Sequence, residues 1–327
     1  MHPLTHLTTA LHEKISSFST TDHFLLNNHA FSFDKKLFQP LIFSSSPTPT
    51  IAFIDGGQAE LIVAGNFCVS FIRVAALIMQ GEKKILQEKK EFFLLTTAKS
   101  HKEEIWYESK IFSEQIDISV PTNQDSFFLN EQDLFVSSQD PSLKSGTERA
   151  PITRVAGMAR RFAELFLAAQ VAKNADFLLL DGTLEKTYSQ EEKYLQQLPK
   201  NSNALAKSSS LFTTSGNGPS LFLQQNGPSG CWNYQVKENI SFVKLHEKAK
   251  HVFRFEGTPE LLPFLLPGCT DATFLGYPYG LILADQLARV SNEEKKSLQM
   301  RFMLDKENKD ILEYLTTSNA HDILDGK

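Results

Sequence analysis

Two apolar runs in the sequence each end in an aspartate followed by glycine: Ile51-Ala52-Phe53-Ile54-Asp55-Gly56-Gly57 and Phe177-Leu178-Leu179-Leu180-Asp181-Gly182. A carboxylate at the tip of a buried strand stands at the sheet edge where ligands of open α/β sheets collect. The glycine after it lets backbone or substrate approach closely. If the two strands are parallel neighbours, their tips lie about 5 Å apart, one interstrand spacing. Two carboxylates that close repel each other unless a cation lies between them. One Asp-Gly alone reads as a turn; the pair points towards a metal site.

Further candidates surround this pair. Glu164, in Arg160-Arg161-Phe162-Ala163-Glu164-Leu165-Phe166, lies on a helix that leads straight into the Asp181 strand. Taken alone it reads as an intrahelical partner of arginine worth a few tenths of a kcal/mol, roughly the value for such pairs. A helix packed beside the strand can also bring its carboxylate to the strand tips. Asp285, read from the residues alone, is a solvent-facing helix residue pairing with Arg289 at i+4. Lys207, in Ala206-Lys207-Ser208-Ser209, is either an ordinary surface lysine or the cation that neutralises a phosphate. Tyr277 begins Tyr277-Pro278-Tyr279-Gly280, which suits a structural corner or a ring that orients substrate or stacks on a base. Arg160 and Arg161 read as a solvated face or as contacts to a nucleic-acid backbone. His321 is a weaker alternative ligand.

The elements that must position these residues follow from periodicity. Leu4, Leu7, Leu11 and Ile15 give a leading amphipathic helix over 4–18. After the Ser/Pro/Thr run at 44–50, strands are expected at 51–54, 60–64 and 67–77, the last two joined at Gly65-Asn66. The Glu/Lys run at 81–90 reads as a strand end or loop; 92–97 and 104–112 read as strands or a helix. Residues 120–150, rich in Ser, Gln, Asp, Asn and Pro, read as a long loop or insertion. A helix at 152–173 then feeds the continuous apolar strand at 175–182, which suits burial on both faces. A helix at 189–198 follows. The repeated Asn-Gly-Pro-Ser at 217–220 and 226–229 reads as two turns flanking a strand or loop. Strands at 240–245 and 251–255 precede helix from Gly280 onwards and at 292–316. A meander followed by alternating helix and strand predicts an α/β fold, a mixed sheet with helices packed on it.

Composition sets outer limits. The chain has 327 residues, with Lys plus Arg 33 against Asp plus Glu 38, a net charge of −5. That excludes a blanket of positive charge, so nucleic-acid binding must be local or mediated by metal ions. Three widely spaced cysteines suit a reducing cytosol better than a disulfide framework or zinc motif. The N-terminus lacks a signal-peptide pattern, and the apolar stretch 61–80 is interrupted by Asn66 and Arg73. A soluble, cytoplasmic protein with no membrane association is expected. No Gly-x-x-x-x-Gly-Lys-Ser/Thr loop is present, which argues against ATP hydrolysis by a P-loop.

Taken in order, Ile51–Gly57 with its hairpin, Arg160-Arg161-x-x-Glu164, Leu179–Leu184, Ala206–Ser209 and Tyr277–Leu281 with Ala284-Asp285 resemble the NurA nucleases, whose core is RNase H-like. The resemblance spans residues 51 to about 290. It implies an RNase H-like mixed sheet, antiparallel meander plus parallel strands, flanked by helices. It also implies Mn2+- or Mg2+-dependent two-metal cleavage of DNA, with 5′–3′ exonuclease and single-strand endonuclease activity in end resection and double-strand break repair. By matching position, Asp55, Glu164 and Asp181 would hold metal, with Lys207, Tyr277 and Asp285 completing the catalytic group. Arg160, Arg161, Lys207 and Tyr277 would meet DNA. The family often carries histidine where this chain has Asp285, a hard oxygen donor that also suits these ions. A HerA-type hexameric ATPase and a second copy of the chain are the implied partners. The domain expectation is an extension over 1–45, the nuclease domain over 46–290 with the insertion at about 120–150, and a helical tail over 291–327. Two other readings compete: a catalytically weakened adaptor that binds DNA or the ATPase, and an actin-like kinase or ATPase suggested by the Asp-Gly motifs.

Overall fold

Thr50–Val63 and Phe67–Gln80 form a long antiparallel hairpin through the centre of the protein, turned at Gly65-Asn66 as expected. The structure, a computed structural model, describes residues 3–16, 23–26, 29–44, 46–113, 129–209, 211–305, 308 and 311. The strands in chain order are β1 (His23–Leu26), β2 (His29–Ser32), β3 (Phe38–Pro40), β4 (Thr50–Val63), β5 (Phe67–Gln80), β6 (Lys83–His101) and β7 (Glu104–Phe112). They continue with β8 (Val136–Ser137), β9 (Phe177–Asp181), β10 (Ser202–Ala206), β11 (Phe212–Thr213), β12 (Trp232–Lys237), β13 (Ile240–Lys244) and β14 (Phe253–Glu256). The helices are α1 (Pro3–Ser16), α2 (Arg154–Val171), α3 (Glu192–Leu195), α4 (Pro219–Asn226), α5 (Leu262–Leu265), α6 (Tyr279–Ala288) and α7 (Asn292–Leu304).

One eleven-stranded mixed sheet has the order β3-β12-β13-β14-β10-β9-β4-β5-β6-β7-β8; a small sheet, β11-β1-β2, lies apart from that ladder. Only β4–β9 and β9–β10 run parallel; the other pairs are antiparallel. Covering helices explain the apolar character of the central strands. On one face α2 presents Val155, Met158, Phe162 and Leu165 to Ala52, Ile54, Leu178 and Leu180. On the other, α5 and α6 bring Leu262, Leu265, Leu281 and Ala284 onto Ile51, Phe53, Leu179 and Leu205. A strand covered on both faces buries every residue, which is why Leu178-Leu179-Leu180 shows no alternation.

Several expectations are corrected. Residues 51–54 and 60–64 belong to one unbroken strand, so Asp55-Gly56-Gly57 lies inside β4 and not at its tip. The Glu/Lys run at 81–90 is a turn at 81–82 followed by the start of the 19-residue β6, which pairs with β5 with one register shift between Ile78 and Met79. Backbone pairing outweighs local polarity there. Residues 92–97 and 104–112 are strands. The helix expected at 189–198 is a single turn, α3, and the Asn-Gly-Pro-Ser repeats flank a helix, α4, with Pro219 in its first turn, where proline lacks only an N–H that has no helical partner. The described part of the 120–150 segment is packed, with Leu129, Leu134, Val136, Leu143 and Ala150 buried against α2. The rest of that segment to residue 128, and the expected helix beyond 305, lie outside the described residues. Among the described residues no helix is long and apolar enough to cross a membrane.

The tail helix is tied down by a charge buried within an apolar strand. Arg73 of β5 donates to Glu91 at 2.6 Å, to the Arg289 carbonyl at 2.8 Å, and to both carboxylate oxygens of Glu294 on α7. The Arg73 hydrogen bond holds the Glu294 carboxyl below the usual glutamate range. A folded-state pKa below the unfolded one contributes stability above the unfolded value and loses it as pH falls. Glu294→Gln should therefore cost about 1 kcal/mol at neutral pH, the low end for a bond to a charged group because Glu294 is a third exposed. Urea denaturation of both proteins checks this, and the difference should shrink as pH falls below the unfolded glutamate value of about 4.3 and vanish only below the depressed folded-state value.

Candidate active site

β4 and β9 pair in parallel with Ile54 opposite Leu180, so the next residues, Asp55 and Asp181, stand side by side. Alternation along each strand then decides their face. Ile54 and Leu180 point towards α2, whereas Phe53 and Leu179 point towards α6; Asp55 and Asp181 share the α6 side. Lys207 follows β10 on that side. Its Nζ lies 2.5 Å from Asp181 Oδ2 and 5.1 Å from the centre of the Tyr277 ring. Asp285, on α6, completes the group. Its charge acts on both Lys207 and Tyr277, and its own partner is Arg289 at 2.7 Å.

Tyr277 is 1% exposed, stacked on Phe274 with ring centres 4.7 Å apart and tilted against Phe253. The expected base-stacking role is therefore corrected: both the ring and its surroundings are core, and it acts as a floor under Lys207. Its buried hydroxyl lies near the Asp181 carboxylate. Burial first, and the Asp181 charge second, push the phenol well above its usual range.

Glu164 approaches from α2, on the other side of the sheet, and its position depends on glycine. A Cβ at Gly56 would fall 2.3 Å from Glu164 Oε1, so only glycine leaves room for the carboxylate. Gly57 answers on the opposite face, where a Cβ would fall 2.2 Å from the Ala288 carbonyl oxygen. Glu164 is held by a short contact to Arg160, which also donates to the Gly56 carbonyl at 3.1 Å and to Gln58 at 3.3 Å. Arg161 is buried, in contrast to its expected contact with DNA. It donates to Glu191 at 2.7 Å and to the Thr183 carbonyl at 2.5 Å. Glu191, fully buried, also accepts from the Thr187 and Tyr188 amides. This pair pins the segment after Asp181 to α2. Its reach was hidden in the sequence because Glu191 lies 30 residues from Arg161. His321 lies outside the described residues.

The charges are unevenly matched. Glu164 has Arg160, Asp181 has Lys207, and Asp285 has Arg289; among the described residues Asp55 has no cation within 4.0 Å. Burial pushes the Asp55 carboxyl up to about 8, helped by the Asp181 and Glu164 charges and opposed by the Gly56 amide, which donates to Oδ1 at 2.7 Å. Burial also raises Glu164, against the pull of Arg160 and Arg161. Burial would lower Lys207, but the Asp181 bond and charge hold it above the usual lysine range. Among the described residues no three His, Cys, Asp or Glu side chains already surround one point as metal ligands. The donor set nevertheless suits a hard divalent ion: two adjacent carboxylates, one lacking a counter-charge, both oxygen donors. Asp55 and Asp181 are placed to hold such an ion directly. Glu164 and Asp285 would join by releasing their arginines.

The mixed sheet, with its antiparallel meander, parallel central strands and helices on both faces, has an RNase H-like architecture. In particular it is NurA-like. The NurA nuclease from Sulfolobus solfataricus superposes with a TM-score of 0.51 at 12% identity, over 94% of this chain and 95% of that one. Another NurA crystal structure gives 0.44 at 9% identity over 88% and 91%. The catalytic domain of human Endonuclease V gives 0.40 at 11% identity over 91% and 99%. No family model and no curated protein matches the sequence.

The Asp55 environment predicts a stability profile. With its folded-state pKa near 8 against roughly 3.9 unfolded, the folded state binds more protons between those values, so stability falls as pH rises through that window. In EDTA the wild-type melting temperature should decline from pH 5 to 8. In Asp55→Asn this part of the decline should be absent.

Proposed function

We propose that the chain is a divalent-metal-dependent deoxyribonuclease. The observation that carries this reading is the side-by-side placement of Asp55 and Asp181 on central parallel strands of a nuclease-type fold, with Lys207 against Asp181. When bound, Mn2+ or Mg2+ supplies Lewis-acid activation of water and of the phosphoryl oxygen. The chain's own residues do the rest. Asp55 and Asp181 would hold the ion, with the Asp55 proton released to solvent. Lys207, kept charged by Asp181 and resting on the Tyr277 ring, faces the charge that develops on the phosphate. Tyr277, Phe274 and Phe253 keep water from the floor of the site. Asp285 offers a hard oxygen where the family often has histidine, and Arg160 is the candidate contact to the DNA backbone, being a third exposed.

The finer reading follows the NurA resemblance: 5′–3′ exonuclease and single-strand endonuclease action in DNA end processing, in the cytoplasm, as a homodimer working with a HerA-type hexameric ATPase. Residues 46–290 would carry the nuclease domain. The outward stripe Leu4, Leu7, Leu11 and Ile15 on α1 supports a protein partner, since each side chain is more than half exposed. One observation favours the adaptor reading instead: Glu164 and Asp285 are both engaged by arginines.

Labelled single-stranded DNA incubated with Mn2+ decides between them. Wild type should degrade it, and Asp55→Asn or Asp181→Asn should each slow cleavage by about a hundredfold, equivalent to roughly 2.7 kcal/mol. Lys207→Ala should lose a similar amount. A wild-type chain that cleaves no DNA with any divalent ion supplied, yet binds a HerA-type ATPase, would favour the adaptor.

A further inference from the structure

At the end of α6 one strongly exposed cation is mounted on an immobile base. The Arg289 side chain is 67% exposed, while its backbone is fixed twice over: its carbonyl accepts from Arg73 at 2.8 Å, and its amide donates to the Asp285 carbonyl at 2.8 Å. One residue earlier, the Ala288 carbonyl is pressed onto Gly57, two residues from Asp55 on the same strand. Arg289 thus springs from a point held against the strand that carries Asp55, the candidate metal-holding acid, and its guanidinium reaches back to Asp285, whose charge is felt by Lys207 and Tyr277.

The Asp285–Arg289 bond is weakly held. Exposed i,i+4 pairs contribute about 0.3–0.5 kcal/mol. A phosphate offers arginine a two-pronged, charge-assisted contact of greater strength. Asp285, for its part, is a better partner for a divalent ion than for a solvated guanidinium.

We propose that Arg289 is a phosphate-binding residue of the nucleic-acid path, paired with Asp285 in the ion-free protein and transferred to a backbone phosphate when the site is loaded. The inference rests on the nuclease reading and adds a residue to it. The side chain takes no part in the Arg73 clasp, so its replacement removes the Asp285 pair and leaves that clasp in place.

The test is binding of a fluorescein-labelled single-stranded oligonucleotide to the full chain by anisotropy, with Ca2+ replacing Mn2+, over a series of salt concentrations. Arg289→Ala should weaken binding about tenfold and make the slope of log K against log salt shallower by about 0.7, the value for one lost phosphate contact. Arg289→Lys should recover the slope but not all the affinity. In Arg289→Ala, Mn2+ binding followed by the free-ion EPR signal without DNA should be as tight as in wild type or tighter, because Asp285 has lost its competing cation. An unchanged affinity and slope in Arg289→Ala would overturn the inference alone. Weaker Mn2+ binding would overturn it too, by making Arg289 a support for Asp285. If the wild type itself binds no DNA, the nuclease reading fails first.

Discussion

Carboxylates that are buried side by side cannot all remain charged without positive charge brought to them, and the structure around Asp55 is organised by that constraint. The parallel pairing of β4 with β9 places Asp55 beside Asp181, and the helix preceding β9 adds Glu164. Lys207 and Arg160 each answer one of these charges, drawn from different elements so that neither has to bridge the sheet. Asp55 is left over, and its carboxyl is the one that leans towards protonation. The shortfall of positive charge falls on that one carboxyl, which among the described residues has no lysine or arginine within 4.0 Å.

The sheet itself is thinned to make this possible. Glycine inside a strand ordinarily weakens it, yet β4 carries two in succession at its most crowded point. Each admits a neighbour from a different face: the Glu164 carboxylate on the α2 side and the Ala288 carbonyl on the α6 side. The strand thereby acts as a partition only one backbone thick, across which an acid from one layer influences an acid in the other. Arg160 stitches that partition by bonding both Glu164 and the Gly56 carbonyl.

How much of this could be read in advance depended on the range of the interactions. The apolar run 177–180, the hairpin at Gly65-Asn66 and the 152–173 helix were readable because their signals are local periodicities confirmed by the layers packed on them. The interior position of Asp55 was not, since Gly56 and Gly57 imitate a strand end until Glu164 and Ala288, far along the chain, are placed against them. The charged run in β6 misled for the same reason: its partner strand is what keeps it extended. At the site, residue types pointed to oxygen-donor chemistry, but the face from which Glu164 enters and the burial of Tyr277 and Arg161 depend on packing that no spacing records. Arg73 did leave a trace, as a lone charge in an apolar run, without indicating Glu91 or Glu294 as its partners.

That arginine also constrains how the protein can vary. A guanidinium sunk among β-sheet side chains is tolerable only while its acids remain, and replacing the whole set by apolar groups can cost little. Positions 73, 91 and 294 are therefore tied together: a neutral residue at 294 alone leaves the buried Arg73 to Glu91 and the Arg289 carbonyl, whereas a joint change to apolar side chains would extend the cluster of Leu61, Ile62 and Phe71 on which α7 already rests. The C-terminal helix and the central hairpin, more than two hundred residues apart in sequence, thus share a mutational fate, with substitutions in one acceptable or damaging according to what the other carries.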